Sequence, residues 1–273
     1  VLHERIFSAV VFGIPFVAVA ILGGTVFNLL ILVVLCIGSM EFMQLVARRG
    51  HRPFAGLMLL WTAYYVLERL LPPTKYVSAG AAVLLLLTLI VALVRFRFAA
   101  GSADVVTGFA MTLAGSFYIG WSGAHLVSLR ALDDGLYWVT TIVGVVWIAE
   151  AAAYFIGTAV GRTPFSPEIS PSKTWEGYLG GVLCGTGGAV GLTLLWGRLG
   201  AGPASNLVHG LVLGLLASTL GPLGDLGISM IKRYAGAKHA SNLIPGHGGI
   251  LDRLDSLIVT ILLGYYYVTL FAL

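Results

Sequence analysis

Nine stretches of this chain run almost without formal charge, near residues 6–23, 25–43, 55–71, 77–94, 104–121, 136–160, 178–197, 206–223 and 256–273. A helix that crosses a hydrocarbon core needs about 20 mostly apolar residues, and each stretch approaches that length. Soluble domains carry roughly 25% charged residues. Here Asp, Glu, Lys and Arg together make up 10%, against 58% hydrophobic residues. Such a chain cannot wet its own surface, so much of it must face lipid. The expected fold is all-α, a polytopic membrane helix bundle of about nine transmembrane helices. It forms one integral membrane domain over residues 1–273, with N-terminal helices in 1–135 and the helices that carry the polar motifs in 136–273.

The cations concentrate in short loops. Arg48, Arg49 and Arg52 lie in one, Arg95 and Arg97 in another, and Arg162, Lys173, Lys232, Arg233, Lys238 and Arg253 near 161–176 and 224–255. With nine spans these loops share a side with the N-terminus, while the opposite loops hold only Lys75, Arg130 and Arg198. The positive-inside rule then puts the charged stretches in the cytoplasm. The net charge of +4 is therefore topological and implies no nucleic-acid partner. The first span resembles a secretory signal, but its apolar run continues past any cleavage point, so a retained anchor is expected. Cys36 and Cys184 each sit inside an apolar run and define no disulfide framework. The spacings Gly157–Gly161, Gly181–Gly185 and Gly210–Gly214 permit close helix approach, either within one bundle or across a dimer.

Two polar islands interrupt the oil. The first, EISPSKTWEGYLGG at 168–181, follows a span containing Glu150. Ser170, Lys173 and Thr174 near a helix start suit a phosphate cradle, and equally a polar loop capped at Ser172 or Thr174. The second runs from Asp225 through KRYAGAKHASNLIPGHGGILDRLDS at 232–256. Asp252 and Asp255 are three apart, so on a helix they share a face. A carboxylate at membrane depth is costly unless paired or bound to a cation. Carboxylates that hold Mg²⁺, beside cations that hold phosphate, are recurring equipment of nucleotidyl and phosphoryl transfer. These residues describe a membrane-embedded site for phosphate and divalent metal, in either a lipid nucleotidyltransferase or an anion transporter.

The run SMIKRYAGAKHASNLIPGHGGILDRLD resembles the signature of the phosphatidate cytidylyltransferases, with Ser229, Lys232, Arg233, Lys238, Pro245, His247, Gly248, Gly249, Asp252, Arg253 and Asp255 at matching spacing. Ser170, Pro171, Lys173, Thr174, Trp175, Glu176 and Gly177 are similar to a second block of that family. Acidic family positions are occupied here by Ile228, Tyr234 and His239, and an aspartate by Glu150. The resemblance implies transfer of a cytidylyl group from CTP to phosphatidic acid, giving CDP-diacylglycerol and pyrophosphate, with Mg²⁺ and a second, monovalent cation. It implies catalytic roles for Asp225, Lys232, Asp252 and Asp255, metal binding by Asp225, Asp252 and Asp255, and substrate binding by Ser170, Lys173, Thr174, Arg233, Lys238, Asn242, His247 and Arg253. It also implies a homodimer in the cell (inner) membrane. The missing acids motivate two alternatives: a weak or inactive paralogue that binds or moves anionic lipid, and a CTP-dependent enzyme for another lipid phosphate.

Overall fold

The computed structural model describes residues 13–72, 75–98, 103–200, 206–243 and 248–272. In chain order the described elements are α1 (Gly13–Leu22), α2 (Gly24–Ala47), α3 (Ala55–Glu68), α4 (Lys75–Phe98) and α5 (Ala103–Gly115). A π-helical segment (Ser116–Trp121) joins α5 to α6 (Ser122–Ala131). There follow α7 (Gly135–Val160), a hairpin of β1 (Pro164–Ser166) and β2 (Ser170–Thr174), α8 (Trp175–Arg198), α9 (Leu207–Tyr234) and α10 (Leu251–Tyr267), which ends in π-helical Val268–Ala272.

Six of the described helices are long and apolar enough to cross a membrane: α2, most of α4, α7, α8, α9 and the α10 rod. These make the chain an integral membrane protein. Helix α3 has 14 residues, and at 1.5 Å per residue it spans about 21 Å, short of the roughly 30 Å hydrocarbon core. The expected count of nine spans is therefore not reached by length and composition. The segment at 121–135 is mostly helix, since the span at 104–121 runs through the π segment into buried α6. The bundle is also not purely helical, because the first polar island forms a two-stranded antiparallel hairpin with Ser166 opposite Ser170.

The core lies where α2, α6, α7 and α10 meet, around Phe27, Leu35, Ile119, Leu129, Trp138, Ile142 and Ile258, all nearly inaccessible. Helix α4 is peripheral, with Leu86, Ile90 and Leu93 more than half exposed, as suits a lipid-facing surface. The glycine spacings serve packing within the chain. A Cβ at Gly181 would lie 2.9 Å from the Ala149 carbonyl of α7, and one at Gly214 would lie 2.8 Å from Thr186 Cα of α8. Gly224 lies against the Asp255 carbonyl, so α9 and α10 approach backbone to backbone beside the second polar island.

The main departure from the expected boundaries lies in α9. The apolar run ends near 223, yet the helix continues to Tyr234. Pro222 removes one amide donor and leaves the Ser218 carbonyl without its usual partner, but the turn that follows is held by packing on α10. Asp225, Ser229, Lys232 and Arg233 thus project from a rigid helix. At the other end, α10 begins at Leu251, so Asp252 and Asp255 both lie within it, on its first two turns.

Candidate active site

Four charged loops gather at one end of the bundle. Arg49 Nε donates to the Tyr234 carbonyl at 2.5 Å, and Arg233 Nε donates to the Ile169 carbonyl at 3.0 Å. Arg95 lies over the Phe54 ring, 4.6 Å from its centroid. Arg130 sits elsewhere, donating to the Ala20 carbonyl. The residues expected to act together are therefore on one face, brought there by the ends of α2, α7, α9 and the starts of α8 and α10.

Two lysine–aspartate pairs organise this face. Lys173, on β2, places Nζ 2.5 Å from Asp225 Oδ2, while the Ser229 hydroxyl donates to Asp225 Oδ1 at 3.0 Å. Ser229 is one helical turn after Asp225, so α9 itself sets that contact. Lys232 places Nζ 2.6 Å from Asp252 Oδ1. The other Asp252 oxygen accepts from Ala240 N at 2.8 Å and Gly249 N at 3.0 Å. Asp252 thereby ties α9, the turn after it and the start of α10 together.

Asp255 is buried one turn further along α10 and accepts from Ser256 N at 2.7 Å. It lies within electrostatic reach of Asp225 and of Glu150 from α7. The Ser256 hydroxyl donates to Glu150, which also feels Arg253 and Lys173. Glu150 is nonetheless exposed, although it lies about 15 Å along α7 from that helix's end.

The remaining expected site residues divide. Thr174 Oγ1 accepts from Gly177 N at 3.2 Å, so it caps α8, and Ser170 is a strand residue of the hairpin. The Glu176 carboxylate accepts from the backbone of Arg162 and Thr163 and from the Thr163 hydroxyl, which closes the hairpin onto α8. Arg233 braces the hairpin through Ile169, whereas Lys238, Asn242 and Arg253 are exposed at the rim. His247 and Pro245 lie outside the described residues.

Two residues at this site carried no signal in the linear motifs. Tyr118, in the π-helical segment, directs its hydroxyl to the Gly224 carbonyl at 3.4 Å, within electrostatic reach of Asp225 and Asp255. Glu41, in α2, is 3% exposed and accepts from Ser241 Oγ, Ile250 N and Leu251 N. A lone Glu in an otherwise uncharged apolar run was the available clue to Glu41; the phenol of Tyr118 offered none.

Ile228, Tyr234 and His239 belong to neither lysine–aspartate pair, but His239 borders the Gly248 turn together with Asp252. Ile228 is fully buried in the hydrophobic core. Tyr234 is stacked on His51, with its hydroxyl 2.6 Å from His51 Nε2. His239 is exposed.

Chemically, the face offers carboxylates already matched to cations and exposed cations around them. Such a face suits a polytopic membrane protein that handles phosphate groups. The comparisons make the class specific. The chain matches the Cytidylyltransferase family over residues 3–271 and belongs to it. It is 34% identical over 281 residues to the phosphatidate cytidylyltransferase of Bacillus subtilis (strain 168), covering 99% of each chain. Similar values hold for the phosphatidate cytidylyltransferases of Brucella suis biovar 1 (34%; 99% of this chain, 94% of the relative) and Synechocystis sp. (35%; 98% and 96%).

Proposed function

We propose that this protein transfers the cytidylyl group of CTP to phosphatidic acid, forming CDP-diacylglycerol and pyrophosphate. The observation that carries the reading is the pairing of Lys173 with Asp225 and of Lys232 with Asp252 on one face, in a chain that belongs to the Cytidylyltransferase family. A phosphatidate oxygen attacks the α-phosphorus of CTP, one P–O bond forms, and the bond to the β-phosphate oxygen breaks to release pyrophosphate. The protein's task in such a step is positioning and charge neutralisation.

The donor set suits Mg²⁺. Asp225, Asp252 and Asp255 are the carboxylates that would hold it, with Glu150 within electrostatic reach of Asp225 and Asp255, and the Lys173 ammonium already occupies a cation position at 2.5 Å from Asp225. Among the described residues no group of three or more His, Cys, Asp or Glu side chains is arranged to hold a metal ion by itself. Mg²⁺ usually takes one or two carboxylates and completes its shell with water and substrate phosphates. Bound there, Mg²⁺ would neutralise the triphosphate and stabilise charge on the leaving pyrophosphate. With Asp225 and Asp252 holding the ion, Lys173 and Lys232 would be available to phosphate oxygens. Lys238, Arg253 and Asn242 complete the anion-binding rim.

The site faces the cytoplasm of the inner membrane in this reading, because CTP arrives from water while the acyl chains stay in the bilayer. A monovalent cation and a homodimer belong to the same proposal. The dimer gains no support from the glycine spacings, since those faces are used within the chain. The test is pyrophosphate release by purified protein with CTP and phosphatidic acid, with and without Mg²⁺. Metal-dependent release that Asp225→Asn abolishes supports the reading; equal release by wild type and variant overturns the assignment of Asp225.

A further inference from the structure

Glu41 lies far in sequence from every motif residue, yet it holds the element that carries Asp252. Its carboxylate is almost wholly buried in a membrane-spanning helix, where an unpartnered charge is expensive. It is fully engaged. Oε1 accepts from Ser241 Oγ at 2.6 Å and from Ile250 N at 3.0 Å, and Oε2 accepts from Leu251 N at 2.7 Å.

Ile250 and Leu251 supply two of the amides at the start of α10, which have no partner within the helix. The residue at the cap position is Ile250, whose side chain accepts no hydrogen bond. Glu41 therefore does from 210 positions away what an Asp or Ser normally does locally. Its negative charge also sits at the positive end of the helix dipole. The approach depends on Gly249: a Cβ there would collide with the Glu41 carboxylate.

The amide one step earlier, Gly249 N, goes to Asp252 Oδ2. The orphan donors of α10 are thus divided between two carboxylates, and the division has a consequence for Asp252. An aspartate in the first turn of a helix is itself a natural acceptor for the free amides. With Ile250 N and Leu251 N taken by Glu41, Asp252 needs only one oxygen for the backbone and keeps Oδ1 directed at Lys232.

We infer that Glu41 is a positioning residue for nucleotidyl transfer: it satisfies the start of α10 so that Asp252 presents one oxygen to Lys232 and the substrate site. This rests on the transferase reading above. The experiment compares the full-length wild type with Glu41→Gln and with the milder Ser241→Ala in lipid nanodiscs. Two readouts are taken: steady-state pyrophosphate release, and hydrogen–deuterium exchange of peptides covering 248–256 and of peptides from α8. Glu41→Gln should lower kcat about 30-fold or more with the KM for CTP within threefold. Exchange at 249–252 should rise at least tenfold while α8 stays protected. Ser241→Ala should lower kcat two- to fivefold, with a smaller local rise in exchange. Wild-type exchange at 249–252 with kcat within twofold in both variants overturns the inference. So does faster exchange spread equally over α8, which marks a general folding role. If the wild type itself releases no pyrophosphate, the transferase reading fails, and the exchange data still decide whether Glu41 orders the Asp252 turn.

Discussion

Lys232 Nζ and Asp252 Oδ1 are 2.6 Å apart across the α9–α10 interface, with side-chain exposures of 11% and 6%. Two charges taken out of water are tolerable only as a pair with good geometry, and removing one leaves the other stranded at a cost of about 3–5 kcal/mol. Lys232→Met should therefore destabilise strongly and abolish pyrophosphate release. Thermal unfolding in detergent checks this, and a double variant with Asp252→Asn should recover part of the lost stability but none of the activity.

Lys173 and Asp225 behave differently. Their side chains are 28% and 27% exposed, and a pair so open to solvent contributes only about 0–1 kcal/mol. Lys173→Ala should leave the melting temperature within a few degrees of wild type while lowering pyrophosphate release at least 100-fold. Equal losses in stability and rate would show Lys173 to be structural.

Gly248 has φ of +82°, and a Cβ there would meet Asp252 Oδ2 at 2.5 Å. A left-handed conformation costs a residue with a Cβ about 1–2 kcal/mol, and the collision adds displacement of the Asp252 carboxylate. Gly248→Ala should lower kcat by more than tenfold, and mutation of the exposed Gly187, which has open space around it, supplies the control with near wild-type turnover.

Tyr234 stacks on His51 beneath Arg49, whose guanidinium lies 5.6 Å from the ring centroid. Such aromatic contacts contribute about 0.5–1.5 kcal/mol. Tyr234→Ala should loosen the loop at 48–52, read as faster proteolysis there, with pyrophosphate release within threefold of wild type. A loss of activity beyond tenfold would place Tyr234 in the site itself.

Metal removal should separate folding from function. Both aspartates are matched to lysines without any ion, so chelation should abolish release and leave the melting temperature nearly unchanged. Mg²⁺ with CTP should stabilise by mass action, by about 2.7 kcal/mol at 100 times the dissociation constant, whereas Mg²⁺ alone should do little.

Much of this was legible in the linear chain. Apolar runs announced a helical membrane protein, and the spacing of Lys232, Asp252, Arg253 and Asp255 announced the family. The pairing partners were not legible. The charge balance of Asp225 depends on Lys173, which sits on a hairpin that the apolar pattern does not encode. The helical continuation of α9 to Tyr234 was hidden because hydropathy falls at 224, while packing of Gly224 against α10 keeps the helix intact.

The sequence by itself determined that this protein lives in lipid and carries a cytidylyltransferase signature, because hydropathy and motif spacing are local properties of a chain. Only the tertiary structure decided which charge neutralises which, and that Glu41 and Tyr118 stand beside residues over a hundred positions away. Those facts are set by the crossing of helices, and a crossing brings together side chains whose separation along the chain bears no relation to their separation in space.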